Sequence, residues 1–194
     1  MTWVWYFQSG ANAAEFDYKS PIPVYETFWG RPLDPARGPA RFRAHRSHFS
    51  DLQALHCPPV NEGPPLVDDV WQKIIRKFTP EDRIQFYPAS IHSGRNHIEK
   101  YSWVIPFDRV RCIDIHRSNI TSKIDKPDIT LIYHCDFYVH IPSCLGTSHI
   151  ARDEQQTGHL IVSDQLHDAL AETGEASMFY RPQDLPQIFQ RKIH

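Results

Sequence analysis

Histidine and cysteine, the residues that most often hold zinc in proteins, recur in the segment YHCDFYVHIPSCLGTSH at residues 133–149. Structural zinc sites usually take their ligands from close pairs such as CxxC or HxxxH, and neither spacing occurs in this segment. A second dispersed set has the same defect and consists of His45, His48, His56 and Cys57. The pattern therefore favours buried thiols and structural histidines, with no metal ion and no other cofactor. The alternative is a zinc-binding protein or zinc-dependent hydrolase, with ligands among His134, His140, Cys144 and His149.

Ser163 stands where the apolar run LIV meets an amphipathic segment, which is the kind of junction at which some hydrolases hold a nucleophile. Such a turn needs small residues two positions to either side of the serine, whereas this chain has Ile161 and Gln165 there. Ser163 followed by Asp164 matches instead the start of a helix, and Gly174 matches its end. We therefore predict that Ser163 caps a helix and is not a nucleophile.

The rest of the chain lacks the residue patterns of the common enzyme classes. Its carboxylates are scattered, and the sequence contains neither a glycine-rich phosphate loop nor a dinucleotide-binding fingerprint. We therefore expect no catalytic residues and a protein that is not an enzyme.

Candidate binding residues gather in a proline-, glycine- and arginine-rich N-terminal region, residues 9–65. The stretch TFWGRPLD places Trp29 and Arg31 around a turn at Gly30, and four further arginines surround Phe42 in residues 37–46. These residues could form a solvated loop, a protein contact or a nucleic-acid contact, and a net charge of −2 disfavours nucleic acid. The candidate partner-binding residues are Trp29, Arg31, Arg41, Phe42 and Arg43.

The N-terminal residues and the cysteine spacing indicate the cellular compartment of the protein. The apolar run at the N-terminus ends at Phe7, which is too short for a signal peptide, and no run approaches the ~18 apolar residues of a membrane span. The four cysteines show no CxxC spacing and favour free thiols over disulfides. We therefore expect a cytoplasmic protein that has no membrane partner.

The elements that position these residues follow from hydrophobic periodicity. An amphipathic helix is predicted at 67–78, and a turn of helix at 49–55. Strands are predicted at 2–8, 83–91, 98–107, 110–115 and 129–141, followed by a strand, helix and strand within 160–180 and a short helix within 183–194. Because the links between the middle strands are too short for crossover helices, these strands must pair mainly antiparallel. The prediction is an α+β fold with a mainly antiparallel sheet, a few packed helices and a long irregular Pro/Arg-rich N-terminal region. It forms one domain over 1–194, either as one body or as two lobes, 1–80 and 81–194.

The C-terminal segment GHLIVSDQLHDALAETGEASMFYRP, residues 158–182, resembles bacterial immunity proteins of polymorphic toxin and type VI secretion effector–immunity systems. In that family a strand ending in Val-Ser-Asp or Val-Ser-Glu leads into a leucine-bearing helix, then a glycine, then a final strand with a phenylalanine. The matching residues are Val162, Ser163, Asp164, Leu166, Ala169, Leu170, Gly174, Phe179 and Pro182. The stretch WVIPFDRVRCIDIHRS, residues 103–118, is similar to the central strand pair of the same family.

The resemblance covers about the last half of the chain and implies a non-enzymatic cytoplasmic protein. Such a protein binds a cognate toxin or effector domain and neutralises it by occluding or inactivating its active site. Residues 9–65 lie outside the resemblance, and immunity families keep a scaffold while varying the surface that recognises the toxin. The resemblance therefore leaves the toxin, the interface and the oligomeric state open.

Overall fold

The computed structural model of the chain describes residues 1–6 and 12–185. The strands are β1 (Thr2–Trp5), β2 (Glu15–Phe16), β3 (Ala40–Arg43), β4 (Leu66–Val67), β5 (Ile84–Ser93), β6 (Asn96–Pro106), β7 (Arg109–Val110), β8 (Asn119–Asp125), β9 (Thr130–Phe137), β10 (Ile150–Asp153), β11 (Leu160–Ser163) and β12 (Phe179–Tyr180). The α-helices are α1 (Phe49–Ala54), α2 (Asp69–Phe78) and α3 (Asp164–Ala171). Short 3-10 helices lie at Val24–Trp29, Pro35–Arg37, Arg46–His48, Glu81–Arg83 and Pro182–Asp184. The predicted α+β class is confirmed.

The first sheet has the strand order β12-β1-β11-β10-β7, and only its β10–β7 pair is parallel. Both faces of β11 are buried, so its side chains enter two different cores. Leu160 and Val162 join one hydrophobic cluster, whereas Ile161 joins another with Val4 of β1. Successive side chains of a strand point to opposite faces, which explains why LIV reads as an unbroken apolar run.

The second sheet has the order β2-β3-β5-β6-β4, with β3 and β5 parallel and the remaining pairs antiparallel. Its centre is the long β5–β6 hairpin, which turns at Gly94 and has a register shift between Ala89 and Ile91. The inner face buries large aromatic side chains, with Tyr87 and Trp103 both fully buried. The N-terminal region is therefore attached to this hairpin through β2 and β3.

Helices α2 and α3 join the two sheets through a common core. Asp68 caps α2 by accepting hydrogen bonds from the backbone N–H groups of Val70 and Trp71. Trp71 and Ile75 of α2 are fully buried, in a hydrophobic cluster that also contains residues of β1, β6, β11 and α3. The amphipathic face predicted for this helix is thus the face that packs between the sheets.

Strands β8 and β9 form a separate two-stranded ribbon, paired antiparallel. Ile132 and Cys135 are buried, whereas Ile124 and Tyr133 are largely exposed. One face of the ribbon therefore packs against the rest of the protein, and the other face is exposed to solvent.

Three predicted strands are shorter in the structure than the sequence indicates. The strand predicted at 110–115 stops at Val110, because the Cys112 N–H donates to the carboxylate of Asp153 and leaves the regular ladder. The strand predicted at 129–141 ends at Phe137, and the final strand is only Phe179–Tyr180. Most of the predicted terminal helix and the end of the strand predicted at 2–8 lie outside the described residues. Within the described ranges, every helix is too short or too polar to cross a membrane.

Candidate functional site

Cys112 and Cys144 form a disulfide, with 5.1 Å between their Cα atoms. This corrects the expectation that all the cysteines are free thiols. The two residues are 32 positions apart in the chain, so no short-range spacing marks them as partners. The other two cysteines, Cys57 and Cys135, are free and buried. Burial raises the pKa of the Cys57 thiol well above its usual value, which makes that thiol unreactive.

The backbone brings the two bonded cysteines together. Residues 112–114 lie antiparallel to residues 139–141, with an isolated bridge between Ile113 and His140. The Ile141 N–H donates to the Cys112 carbonyl at 2.7 Å. The chain then turns through Ser143, whose φ of 57° is in the left-handed region, and this turn directs Cys144 back towards Cys112.

His140 lies beside the disulfide. We call Cys112, His140 and Cys144 the Cys–His cluster; its potential ligand atoms, the two Sγ atoms and one imidazole nitrogen, all lie within 4.8 Å of one another. The Nδ1 atom of His140 shares a hydrogen bond of 3.0 Å with the Thr2 hydroxyl. Its Nε2 atom is buried and has no hydrogen-bond partner among the described residues. Burial lowers the pKa of His140 to about 4, so the ring is neutral near pH 7.

The structure brings together only two of the four alternative zinc ligands predicted from the sequence, His140 and Cys144. His134 is exposed on β9, where it contacts Thr121 on the neighbouring strand. His149 shares a hydrogen bond with the Ser163 hydroxyl and packs against the ring of Phe78. Neither histidine belongs to the Cys–His cluster. Its third member is Cys112, which the sequence prediction did not include.

Within the described residues, the second dispersed set of histidines and cysteine also forms no metal-binding group. His56 pairs with the buried carboxylate of Asp68 at 2.7 Å, and His45 and His48 pack near each other on the surface. That these residues bind no metal stays a prediction.

Ser163 caps a helix. Its hydroxyl accepts a hydrogen bond of 3.2 Å from the Leu166 N–H at the start of α3. It also lies 2.9 Å from Nδ1 of His149, which gives a serine–histidine pair. The described residues place no carboxylate in hydrogen bond with that histidine, and the serine oxygen is already engaged with the helix. The arrangement therefore stabilises the strand-to-helix junction.

A second candidate site lies on the surface, on the 3-10 helix Val24–Trp29 and the residues after it. Trp29 is 46% exposed and Tyr25 is 57% exposed, and their ring centroids are 5.6 Å apart. The guanidinium of Arg31 lies over the Trp29 ring, 4.3 Å from its centroid. We call Tyr25, Trp29 and Arg31 the aromatic–arginine patch. Within the part of the chain that the structure describes, Arg31 forms no ion pair.

The backbone under this patch is held firmly. Thr27 is fully buried, and its hydroxyl donates to the Val24 carbonyl at 2.6 Å. Gly30 ends the turn at φ 62°, and a Cβ atom there would lie 3.2 Å from both the Phe107 carbonyl and the Arg109 side chain. Glycine is therefore favoured at position 30 by both its backbone conformation and its close packing. The turn presents Trp29 and Arg31 on a fixed base.

The other three predicted partner-binding residues lie on β3, whose burial alternates along the strand. Arg41 and Arg43 are exposed, and Arg43 forms two hydrogen bonds of 3.0 Å with the carboxylate of Asp17. Phe42 is fully buried, with its ring against Phe16 and Trp103. Phe42 therefore belongs to the core, which corrects its nomination as a partner-binding residue. The alternation in the sequence ARFR could have indicated this.

Sequence reasoning missed Tyr25, Cys112 and Thr2 as contributors to these two sites. Tyr25 lies four residues before Trp29, a spacing at which side chains are neighbours on an α-helix, and that spacing could have marked it. The association of Cys112 and Thr2 with His140 depends on tertiary packing, which leaves no local signal.

Comparison with known protein families finds no family that matches this chain, and comparison with curated proteins finds no significantly similar sequence.

Proposed function

We propose that this chain is a protein-binding inhibitor of the immunity class, which neutralises a cognate toxin or effector domain without catalysis of its own. The observation that carries the proposal is the aromatic–arginine patch. Two large aromatic side chains and a stacked arginine stand exposed on a rigid turn, and aromatic residues and arginine are the types enriched in the energetic centres of protein interfaces.

The charge and shape of the patch favour a partner that offers an acidic group beside an apolar surface. Arg31 is stacked on Trp29 and has no carboxylate partner among the described residues, so its donors are available to a carboxylate on the toxin. Leaving Tyr25 and Trp29 in water forgoes hydrophobic stabilisation that burial against a partner would recover. Arg41 lies on a separate element, and its exposed side chain on β3 is a candidate for the edge of the same interface.

The resemblance in the C-terminal half supplies the class of partner. The strand, serine cap and helix that carry it are present as β11, Ser163 and α3, and they belong to the scaffold rather than to the patch. A conserved scaffold with a separate recognition surface is the division expected of an immunity protein. The proposed neutralisation requires no cofactor and no nucleic-acid partner.

We propose that the protein acts in the cytoplasm. The redox conditions of the compartment decide whether the Cys112–Cys144 disulfide is formed or reduced. Disulfides persist in oxidising compartments and are kept reduced in the cytoplasm. The Cys112–Cys144 disulfide is therefore the form expected in an oxidising environment, and free thiols are the form expected in the cytoplasm. Trapping thiols with an alkylating reagent in intact cells, followed by mass spectrometry, distinguishes the two.

Co-expression tests the function. The product of the adjacent reading frame is expressed in a bacterial host with and without this chain, and we expect the chain to restore growth. Trp29→Ala should lose this protection, whereas Tyr133→Ala should retain it, because Tyr133 is similarly exposed but lies on the β8–β9 ribbon. A neighbouring product that is harmless, or a toxic one that this chain neither binds nor neutralises, contradicts the proposal.

A further inference from the structure

We propose that the Cys–His cluster is a redox-controlled zinc site, closed by the Cys112–Cys144 disulfide when oxidised and able to bind one Zn²⁺ when reduced. The two sulfur atoms and an imidazole nitrogen already lie within 4.8 Å of one another. Tetrahedral zinc holds such ligand atoms about 3.3–3.8 Å apart, so the reduced cluster needs only a small adjustment of side chains.

The environment of His140 points to a ligand. Its Nε2 atom is buried without a hydrogen-bond partner among the described residues, an arrangement that costs free energy unless another group satisfies it. Its Nδ1 atom contacts the Thr2 hydroxyl at 3.0 Å. Metal-binding histidines commonly use their second nitrogen in this way, because a hydrogen bond there fixes the ring and leaves the other nitrogen available to the metal.

Backbone hydrogen bonds hold the segments around Cys112 and His140 together independently of the disulfide, and the Cys144 N–H bonds the Ile141 carbonyl at 3.3 Å. The Ile141 N–H bonds the Cys112 carbonyl at 2.7 Å, and the Asp114 N–H bonds the Val139 carbonyl at 2.8 Å. The Cys112 N–H also donates to the buried carboxylate of Asp153 at 3.0 Å. Breaking the sulfur–sulfur bond therefore frees the two Sγ atoms without freeing the segments that carry them.

The redox step needs a low-molecular-weight thiol as reductant. Two such thiols are oxidised to one disulfide, the Cys112–Cys144 bond breaks, and each cysteine gains one electron and one proton. Zn²⁺ then displaces the two thiol protons to solvent and is held by two thiolates and the Nε2 atom of His140. Cys144 is only partly buried, which gives the reductant access to one sulfur. A fourth ligand would come from water.

Zinc binding to the full chain tests the proposal. The protein is purified without an affinity tag, reduced with a phosphine that does not compete for zinc, stripped of metal and titrated with Zn²⁺ against a chromogenic chelator. We expect one zinc per reduced chain and none per oxidised chain. His140→Ala should weaken binding by more than about 100-fold, and Thr2→Val by about 10-fold. The control His134→Ala should bind as the unmodified chain does.

A second readout does not depend on a variant that folds. Zinc should protect Cys112 and Cys144 of the reduced chain from alkylation, and Co²⁺ in place of zinc should give thiolate-to-metal absorption. Zinc uptake that is absent in the reduced chain, equal in the oxidised chain, or weakened as much by His134→Ala as by His140→Ala would overturn the proposal.

Discussion

Two neighbouring rings of the 3-10 helix Val24–Trp29 stack against arginines in opposite environments. Phe28 lies against Arg152, which is 1% exposed, whereas Trp29 lies against Arg31 at the surface. One nitrogen of Arg152 donates to the Thr157 carbonyl, but Nε and Nη2 have no hydrogen-bond partner among the described residues. Burial, with a smaller contribution from Arg109, lowers the pKa of Arg152 to about 10.

The difference between the two arginines separates the structural role of Arg152 from the binding role that we propose for Arg31. The stem of Arg152 fills the interior and its charge is poorly compensated, so its contribution is to packing. Arg31 also stacks on an aromatic ring but remains in water, where its charge costs little, and it forms no ion pair with the described residues. Both positions place an arginine over an aromatic ring, and exposure decides what each arginine can do.

The largest effect should come from truncating the buried arginine. Arg152→Ala leaves a cavity beside Phe28 and should lower the free energy of unfolding by about 3 kcal/mol. Arg152→Met retains most of the volume and removes the poorly compensated charge, so it should recover at least half of that loss. Urea unfolding measures both. Equal losses in the two variants would show that the charge, and not the packing, matters.

Burial of a second titratable side chain, His159, makes the stability of the fold depend on pH. His159 is 3% exposed among the rings of Tyr6 and Tyr138, and burial, with a smaller effect of His140, lowers its pKa to about 3. His159 therefore binds a proton below about pH 6.5 in the unfolded chain but stays neutral at that pH in the folded chain. The stability due to neutral His159 is complete above about pH 7.5 and falls by about 2 kcal/mol between about pH 7.5 and about pH 5.

The comparison of wild type with His159→Phe isolates this effect. Asp153 opposes it, because burial raises the pKa of its carboxyl to about 6 and the folded chain gains a proton there as the pH falls. Since Asp153 is common to both chains, the difference between their stability–pH curves should report His159 together with its smaller coupling to His140. Parallel curves would contradict the assignment.

The smallest effect on stability should come from the exposed side of the helix. Trp29→Ala and Arg31→Ala should each change the free energy of unfolding by less than about 0.5 kcal/mol, because neither side chain supports the core. The same urea measurement checks this. A loss comparable to that of Arg152→Ala would mean that the aromatic–arginine patch is structural, and the contrast would fail.

Sequence reasoning predicted the local features well, because caps, stops and periodicity are local properties. Ser163 at the start of α3 and the amphipathic face of α2 are examples. It failed where tertiary contacts decide. Cys112 reaches Cys144 only because the chain leaves β7 early and lies against residues 139–141, and no spacing records that path.

The candidate sites were predictable to different degrees. The exposed turn that carries Trp29 and Arg31 could be recognised because a tryptophan beside a glycine turn is a local pattern, and the binding role of these residues stays a prediction. Phe42 was misassigned because its neighbours in the sequence are exposed arginines. The alternation of side chains along the strand buries Phe42 between them. His140 and Cys144 were nominated with two histidines that packing directs elsewhere.

The measurement that most directly tests the central proposal is the affinity of this chain for the toxin encoded beside it, determined by calorimetry for the unmodified protein, Trp29→Ala and Tyr133→Ala. We predict tight binding by the unmodified chain and by Tyr133→Ala. Trp29→Ala should weaken binding by about 30-fold or more while its unfolding curve stays unchanged. Equal affinity of all three proteins would contradict the assignment of the patch as the binding surface.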